Sequence, residues 1–184
     1  VIDIDGEATS AFGAAKKRAP WLLILLVLGM LTANLIDLFT DTISQVALLA
    51  AFIPLIAGTA GNSGAQALAV AVRKIATDRT DESRWKMLIR EAATGLITGI
   101  ISAVFVIGLV YFWKHNFIVA LLVGAAIMVS IFVATISGAF IPLLMHRLKI
   151  DPAVASGPFI TTLNDVISII IYFGLATMFL DKLV

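Results

Sequence analysis

The stretch Gly157–Leu180, GPFITTLNDVISIIIYFGLATMFL, contains a single charged side chain, Asp165. As a helix rising 1.5 Å per residue it is long enough to cross a hydrocarbon core of about 30 Å. A carboxylate at that depth costs roughly 2.5–3.5 kcal/mol on insertion scales, so it marks a functional site with a partner. No Lys, Arg or His shares the apolar segments of the chain to neutralise it. The expected partner is one that passes through, a cation.

Working outward, the whole chain shares this character. Of its 184 residues 60% are hydrophobic and 14% charged, against roughly half and a quarter in a soluble domain. The apolar runs are continuous and do not alternate every second residue, so they predict helices and not the strands of a barrel. The expected fold is an all-α membrane protein with five transmembrane helices: about Ala19–Ile36, Ile43–Val72, Ala92–Trp113, Phe117–Met145 and Gly157–Leu180. The second and fourth exceed a straight crossing, which predicts tilt, kinks or extension beyond the bilayer. Residues 1–18 form an acidic leader and 19–184 the membrane domain. The start at Val1, without Met or a short apolar signal segment, suggests a piece of something longer. Cysteine is absent, so no disulfide framework exists to report a redox compartment.

Charge placement sets the expected orientation. Lys16, Lys17, Arg18, Arg73, Lys74, Arg79, Arg84, Lys86, Arg90, Arg147 and Lys149 fall on one side, and only Lys114 and Lys182 on the other. By the positive-inside rule the N-terminus is cytoplasmic and the C-terminus outside. The outer loop between the first two spans carries Asp37 and Asp41 and no base. Between Thr77 and Ala92 the chain predicts a helix. Asp78, Asp81 and Glu82 suit its N-terminus, and Trp85, Leu88, Ile89 and Ala92 give it one apolar face. Its expected role is an elbow into the third span, lying on the inner leaflet. Trp21 and Tyr111-Phe112-Trp113 sit at span ends, where aromatic belts form. His115 and His146 fall at loops with no second ligand at helical spacing, and read as interfacial residues.

Two spans look interrupted. The second contains Pro54-Leu-Ile-Ala-Gly58-Thr-Ala-Gly61-Asn62-Ser-Gly64-Ala-Gln66, and the fifth opens with Asp151-Pro152 and Gly157-Pro158. Paired interruptions at membrane depth point to a substrate path. Gly58, Gly61 and Gly64 also suit close helix packing. Asn62 and Gln66 are an amide pair one helical turn apart, and buried amides need hydrogen-bond partners. On the fifth span Gly157, Thr161 and Asp165 share a face at i, i+4 spacing, with Thr162 close by and Asn164 about 100° around the helix. A strip of small, hydroxyl and carboxylate groups suits a hard divalent cation, and there is no Cys, His or Met cluster for a softer metal. Mg²⁺ keeps several of its waters. One carboxylate is too little for a dehydrated divalent ion, so two copies of Asp165, presented by a homodimer around a central pore, are expected to hold a hydrated one.

PLIAGTAGNSGAQ (Pro54–Gln66) together with DPAVASGPFITTLNDV (Asp151–Val166) resembles the membrane domain of the MgtE magnesium channel and transporter family, whose animal relatives are solute carriers. The resemblance covers about Lys16 to the C-terminus. It implies a homodimer whose second and fifth helices line a pore, with Asp165 holding hydrated Mg²⁺ and with Gly157 and Thr161 beside it. Some relatives have an amide where Gly157 stands, so here only its backbone can contribute. The remaining pore lining implied is Pro54, Gly58, Gly61, Asn62, Gly64, Gln66, Pro158, Thr162 and Asn164. The family also implies cytoplasmic N-terminal and CBS regulatory domains in the full-length protein, absent from this stretch. The leader resembles the end of the segment that connects them to the first span. Asp3, Asp5 and Glu7 in it read as a solvated acidic run.

The function expected is a Mg²⁺-selective channel, or a channel-like transporter, moving the ion inward. A divalent ion crossing 100 mV gains about 4.6 kcal/mol. The competing reading is a proton- or sodium-coupled divalent-cation carrier with Asp165 as its coupling site. No GxxxxGK[ST] loop supports primary pumping, and no nucleophile–base set supports an enzyme. Other expected partners are membrane lipid and further divalent cations, with no nucleic acid. The expected location is the cell (plasma) membrane, the inner membrane of a prokaryote.

Overall fold

The computed structural model describes residues 11–45, 47–77, 81–149 and 157–179. Readings that rest on Asp3, Asp5, Glu7, Asp78, Asp151-Pro152 and the residues from Leu180 onward lie outside that set. The described chain runs α1 (Ala11–Asp37), α2 (Thr40–Gln45), a 3-10 segment (Ala47–Phe52), α3 (Ile53–Thr77), α4 (Asp81–Lys114), α5 (Phe117–Arg147) and α6 (Gly157–Met178), with no strand among the described residues.

The interruption in the second span is not where the glycines are. α3 runs unbroken from Ile53 through Gly58, Gly61 and Gly64 to Thr77, and the break lies ahead of Pro54 in the 3-10 segment. A proline ring collides with the carbonyl four residues earlier and donates no N–H. Pro54 falls in the first turn of α3, where these penalties are small because no α-helical turn precedes it. Glycines held by neighbouring helices do not break a helix, and α5 itself runs on through Pro142. In α6, Pro158 occupies the first turn, where its missing N–H has no helical acceptor to lose, and the helix beyond it is continuous.

The expected elbow is also absent. α4 continues from Asp81 to Lys114 as one helix. Of the apolar face anticipated on its first turns, Leu88 packs beside buried Met87 against Ala67, Ala71 and Ala139, while Trp85 and Ile89 are exposed. Packing on α3 and α5 has rotated the buried face toward Met87.

α5 is the centre. Its sequence is apolar on every side, as a helix surrounded by others must be, and Ala120, Val123, Ala126 and Ala139 are fully buried. Asn116 caps it, its Oδ1 accepting from the backbone N–H of Ile118 at 3.1 Å and Val119 at 3.0 Å. α3, α4 and α6 pack around this rod. α3 meets α5 backbone to backbone: a Cβ on Gly138 would run into the Gly64 carbonyl. At the far end Tyr172 donates from its hydroxyl to the Leu49 carbonyl at 2.9 Å, and Phe173 stacks on Phe39 with centroids 5.3 Å apart. The first contact pins the 3-10 segment to α6, and the second pins the link between α1 and α2 to it.

Ala47–Thr77, Arg84–Lys114, Phe117–Arg147 and Gly157–Met178 are each long and apolar enough to cross a membrane, and α1 contributes a shorter apolar run, Leu22–Asp37. Ile97, Ile101, Val104 and Phe105 on α4, and Leu23, Leu26, Val27 and Met30 on α1, are more than half exposed. Soluble monomers rarely display apolar faces this large; lipid or a partner suits them.

Candidate cation site and its neighbouring cavity

The Asp165 carboxylate stands where α6 crosses α3. A Cβ added to Gly61 would lie 2.7 Å from Thr161 Cγ2 and 3.2 Å from Asp165 Oδ1, and one added to Gly64 would overlap Asn164 Nδ2. These two glycines therefore let α3 lie directly against the polar face of α6. Asp165 Oδ1 is buried and accepts no hydrogen bond. Thr161 and Thr162 donate their hydroxyls to the carbonyls of Gly157 and Pro158, both at 2.9 Å. Their protons are thus committed to their own helix, and oxygen lone pairs remain. This is a lining of acceptors around an uncompensated carboxylate, which attracts cations and repels anions.

Asn164, 1% exposed, points into the protein and accepts from Ser137 Oγ of α5 at 2.7 Å. The structure thus joins Gly61, Gly64, Thr161, Asn164 and Asp165 at one seam. Pro54, Gly58 and Pro158 are exposed on the outer surfaces of α3 and α6, and a Cβ on Gly58 would meet nothing within 4 Å. Gly157 likewise has open space around it and contributes its carbonyl to the Thr161 bond.

Asn62 and Gln66 are placed elsewhere. About 100° around α3 from Gly61, they line a cavity of about 380 Å³ between α3, α4 and α5. Glu91, 9% exposed, lines the same cavity and was not singled out by sequence reasoning. Its position beside Arg90, next to a charged segment, hides it. The available signal was the spacing of Glu91, Thr94, Thr98 and Ser102, one polar stripe along α4 at i, i+3, i+7 and i+11.

No group of three His, Cys, Asp or Glu side chains that could hold a metal directly occurs among the described residues. A hydrated ion held through its waters is the form this chemistry accommodates. His115 takes a left-handed φ of 52° in the link between α4 and α5, which makes it a turn residue. Lys114 Nζ stands 3.6 Å from the Trp113 ring centroid, a cation–π contact at a span end where interfacial aromatics belong.

Comparison with known proteins places the chain in a family. The chain is 46% identical over 180 residues to a magnesium transporter MgtE from Enterococcus faecalis, covering 97% of this chain and 40% of that protein. It is 38% identical to the Bacillus subtilis protein of the same name, covering 95% and 39%, and 33% identical to that of Thermus thermophilus, covering 89% and 36%. The chain thus spans about two-fifths of these relatives' length. The family described as MgtE, divalent cation transporter, matches residues 53–175, which takes in α3 through nearly all of α6. The chain belongs to the MgtE family of divalent cation transporters, a transport family and not an enzyme family.

Proposed function

We propose that this chain is the ion-conducting part of a Mg²⁺ transport protein of the cell membrane, passing the hydrated ion into the cytoplasm down its electrochemical gradient. The observation that carries the reading is the buried, unpartnered Asp165 Oδ1 on an acceptor-lined seam. An isolated ionised carboxylate in a low-dielectric interior is strongly unfavourable, and a cation in transit supplies the missing charge. The relatives named as magnesium transporters supply the ion's identity.

In this reading two copies of the chain meet along the exposed surfaces of α3 and α6. Their Asp165 carboxylates face a central pore lined by Pro54, Gly58, Gly61, Gly157, Pro158, Thr161 and Thr162, while Gly64 lies behind it against α5. α1 joins the other four as a membrane span, tilted or locally thinning the bilayer to match its shorter apolar run. The basic end of the bundle, with Arg90 and Arg147, is cytoplasmic. The longer relatives leave room for the cytoplasmic regulatory domains expected from the resemblance.

The test is Mg²⁺ influx into proteoliposomes at fixed potential and at two pH values, for the chain and for Asp165→Asn. The expected result is a pH-independent flux that falls at least about tenfold in the variant, the effect of about 1.4 kcal/mol. Unchanged flux would make the carboxylate structural and end this reading. Flux that follows the proton gradient would establish the coupled carrier instead.

A further inference from the structure

The cavity on the other side of α3 shares no lining residue with the Asp165 seam. Two polar stripes face each other across it. α4 contributes Glu91, Thr94, Thr98 and Ser102, and α3 contributes Thr59, Asn62, Ser63 and Gln66. α5 forms the floor with Ile131 and Thr135. The stripe on α4 extends about 16 Å along the helix at 1.5 Å per residue, inward from the basic end. Above Thr59 and Ser102 the groove between the same helices turns apolar, lined by residues such as Leu55, Phe105, Leu109 and Trp113. The polar cavity therefore forms a vestibule with an apolar ceiling.

Its threonine hydroxyls donate along their own helices. Thr59 donates to the Leu55 carbonyl at 2.6 Å, Thr94 to that of Arg90 at 2.9 Å and Thr98 to that of Thr94 at 2.8 Å. Thr135 donates to the Ile131 carbonyl at 2.8 Å, so in its 2.8 Å contact with Ser63 it must accept. What these groups turn toward the cavity is oxygen lone pairs. Glu91 sits among them more than nine-tenths buried, with no hydrogen bond or ion pair to its carboxylate from any described residue. The adjacent Arg90 is the nearby positive charge, but it does not line the cavity. The amide N–H groups of Asn62 and Gln66 are the neutral donors there, so the cavity itself holds a carboxylate without a cation.

We infer that Glu91 and the facing stripes of α3 and α4 form a second cation site within each chain, one that holds a hydrated divalent ion. Size supports the hydrated form: six waters at about 30 Å³ each fill about 180 Å³, within a cavity of about 380 Å³. A dehydrated ion would need several oxygens closing directly around it, and the described residues provide no multi-carboxylate set. Mg²⁺ binds through one or two carboxylates while keeping its waters, and the amide and hydroxyl oxygens here suit that outer shell. The choice of Mg²⁺ as the natural occupant rests on the proposed transport function; the site itself rests on Glu91 and the cavity.

The test uses Mn²⁺ as a paramagnetic probe. The chain has no cysteine, so Val70→Cys on the cavity lining accepts a single nitroxide label. In the Asp165→Asn background, Mn²⁺ should broaden the label's spectrum, and Mg²⁺ should reverse the effect. Adding Glu91→Gln should weaken the Mn²⁺ dependence at least about tenfold, equivalent to about 1.4 kcal/mol. Broadening that survives Glu91→Gln, or that never occurs, overturns the inference. Should Glu91→Gln misfold, as read from its melting temperature, Thr98→Val in the same background serves in its place, with a weaker shift of about threefold expected. No shift in that variant is equally fatal. Failure of the Asp165 reading would appear in the flux assay and leave this binding measurement unmoved.

Discussion

α3 presents different chemistry to its two neighbours. Toward α6 it offers Gly61 and Gly64, and the seam closes until a single methyl would collide with Thr161 or Asn164. Toward α4 it offers Thr59, Asn62, Ser63 and Gln66, and the helices stand apart around a cavity of about 380 Å³. Each side holds one carboxylate without a hydrogen-bond donor, Asp165 on the first and Glu91 on the second. Side-chain size sets the spacing. Glycines pull backbones together and leave an ion only the edge of the seam, while amides and hydroxyls hold helices apart and leave room for a hydration shell. The two sides should therefore respond differently to substitution: the seam through stability, the cavity through cation binding.

The sharpest way to break that contrast is to add a methyl where the bundle is tightest. Gly138→Ala drives a Cβ into the Gly64 carbonyl, a backbone atom with no rotamer to escape through. We expect a loss of about 3 kcal/mol, at the upper end of overpacking penalties, read as a lowered melting temperature in detergent. A neutral result would mean that α3 and α5 do not touch as described. Gly61→Ala comes next, with a cost of about 1–2 kcal/mol, because the Thr161 methyl it meets at 2.7 Å can rotate away. The added methyl also lies 3.2 Å from Asp165 Oδ1, so flux should fall by more than stability alone explains. An equal loss of flux and folded protein would separate Gly61 from the ion path.

A smaller effect probes the polar anchor behind the seam. Ser137→Ala removes the donor to Asn164 Oδ1 and leaves a buried amide oxygen unpaired. Such a group costs about 1–3 kcal/mol, and we expect about 1 kcal/mol here, the lower end of that range. Serine replaced by threonine, which keeps the hydroxyl, should recover most of the loss. No recovery would point to packing and not to the hydrogen bond.

How much of this was legible beforehand depends on whether a residue's partners lie on its own helix. Gly157, Thr161 and Asp165 share a face by local periodicity, so their grouping could be read directly. Which side of α3 meets α6 could not, since a rotation of 100° exchanges Gly61 for Asn62 and only tertiary packing fixes it. That is why Asn62 and Gln66 were grouped with the seam and are found lining the cavity. The span interruption was misplaced for a related reason: glycine lowers helix propensity by only about 1 kcal/mol, whereas proline costs about 3. In α3 helix packing offsets the first, and Pro54 sits in the first turn, where the helix begins. Glu91 is hidden in the sequence because the bases around it suggest a headgroup segment, and its burial comes from α3 and α5, which its own sequence does not reveal.

Gly58→Ala should show the smallest effect, and it bears on what covers the outer face of α3. Within one chain a Cβ at this position meets nothing within 4 Å. In an exposed helix interior the change should raise stability by about 0.8–1 kcal/mol through helix propensity. If a second copy packs along Pro54 and Gly58, as the proposed pore requires, the added methyl instead falls in the interface and shifts the dimer toward monomer. Light scattering on the purified chain across a dilution series, with thermal melts at each concentration, separates the two. A melting temperature that rises equally at every concentration leaves this face to lipid and removes it from the dimer contact. A rise at high dilution that vanishes or reverses as protein concentration increases places Gly58 between the two copies.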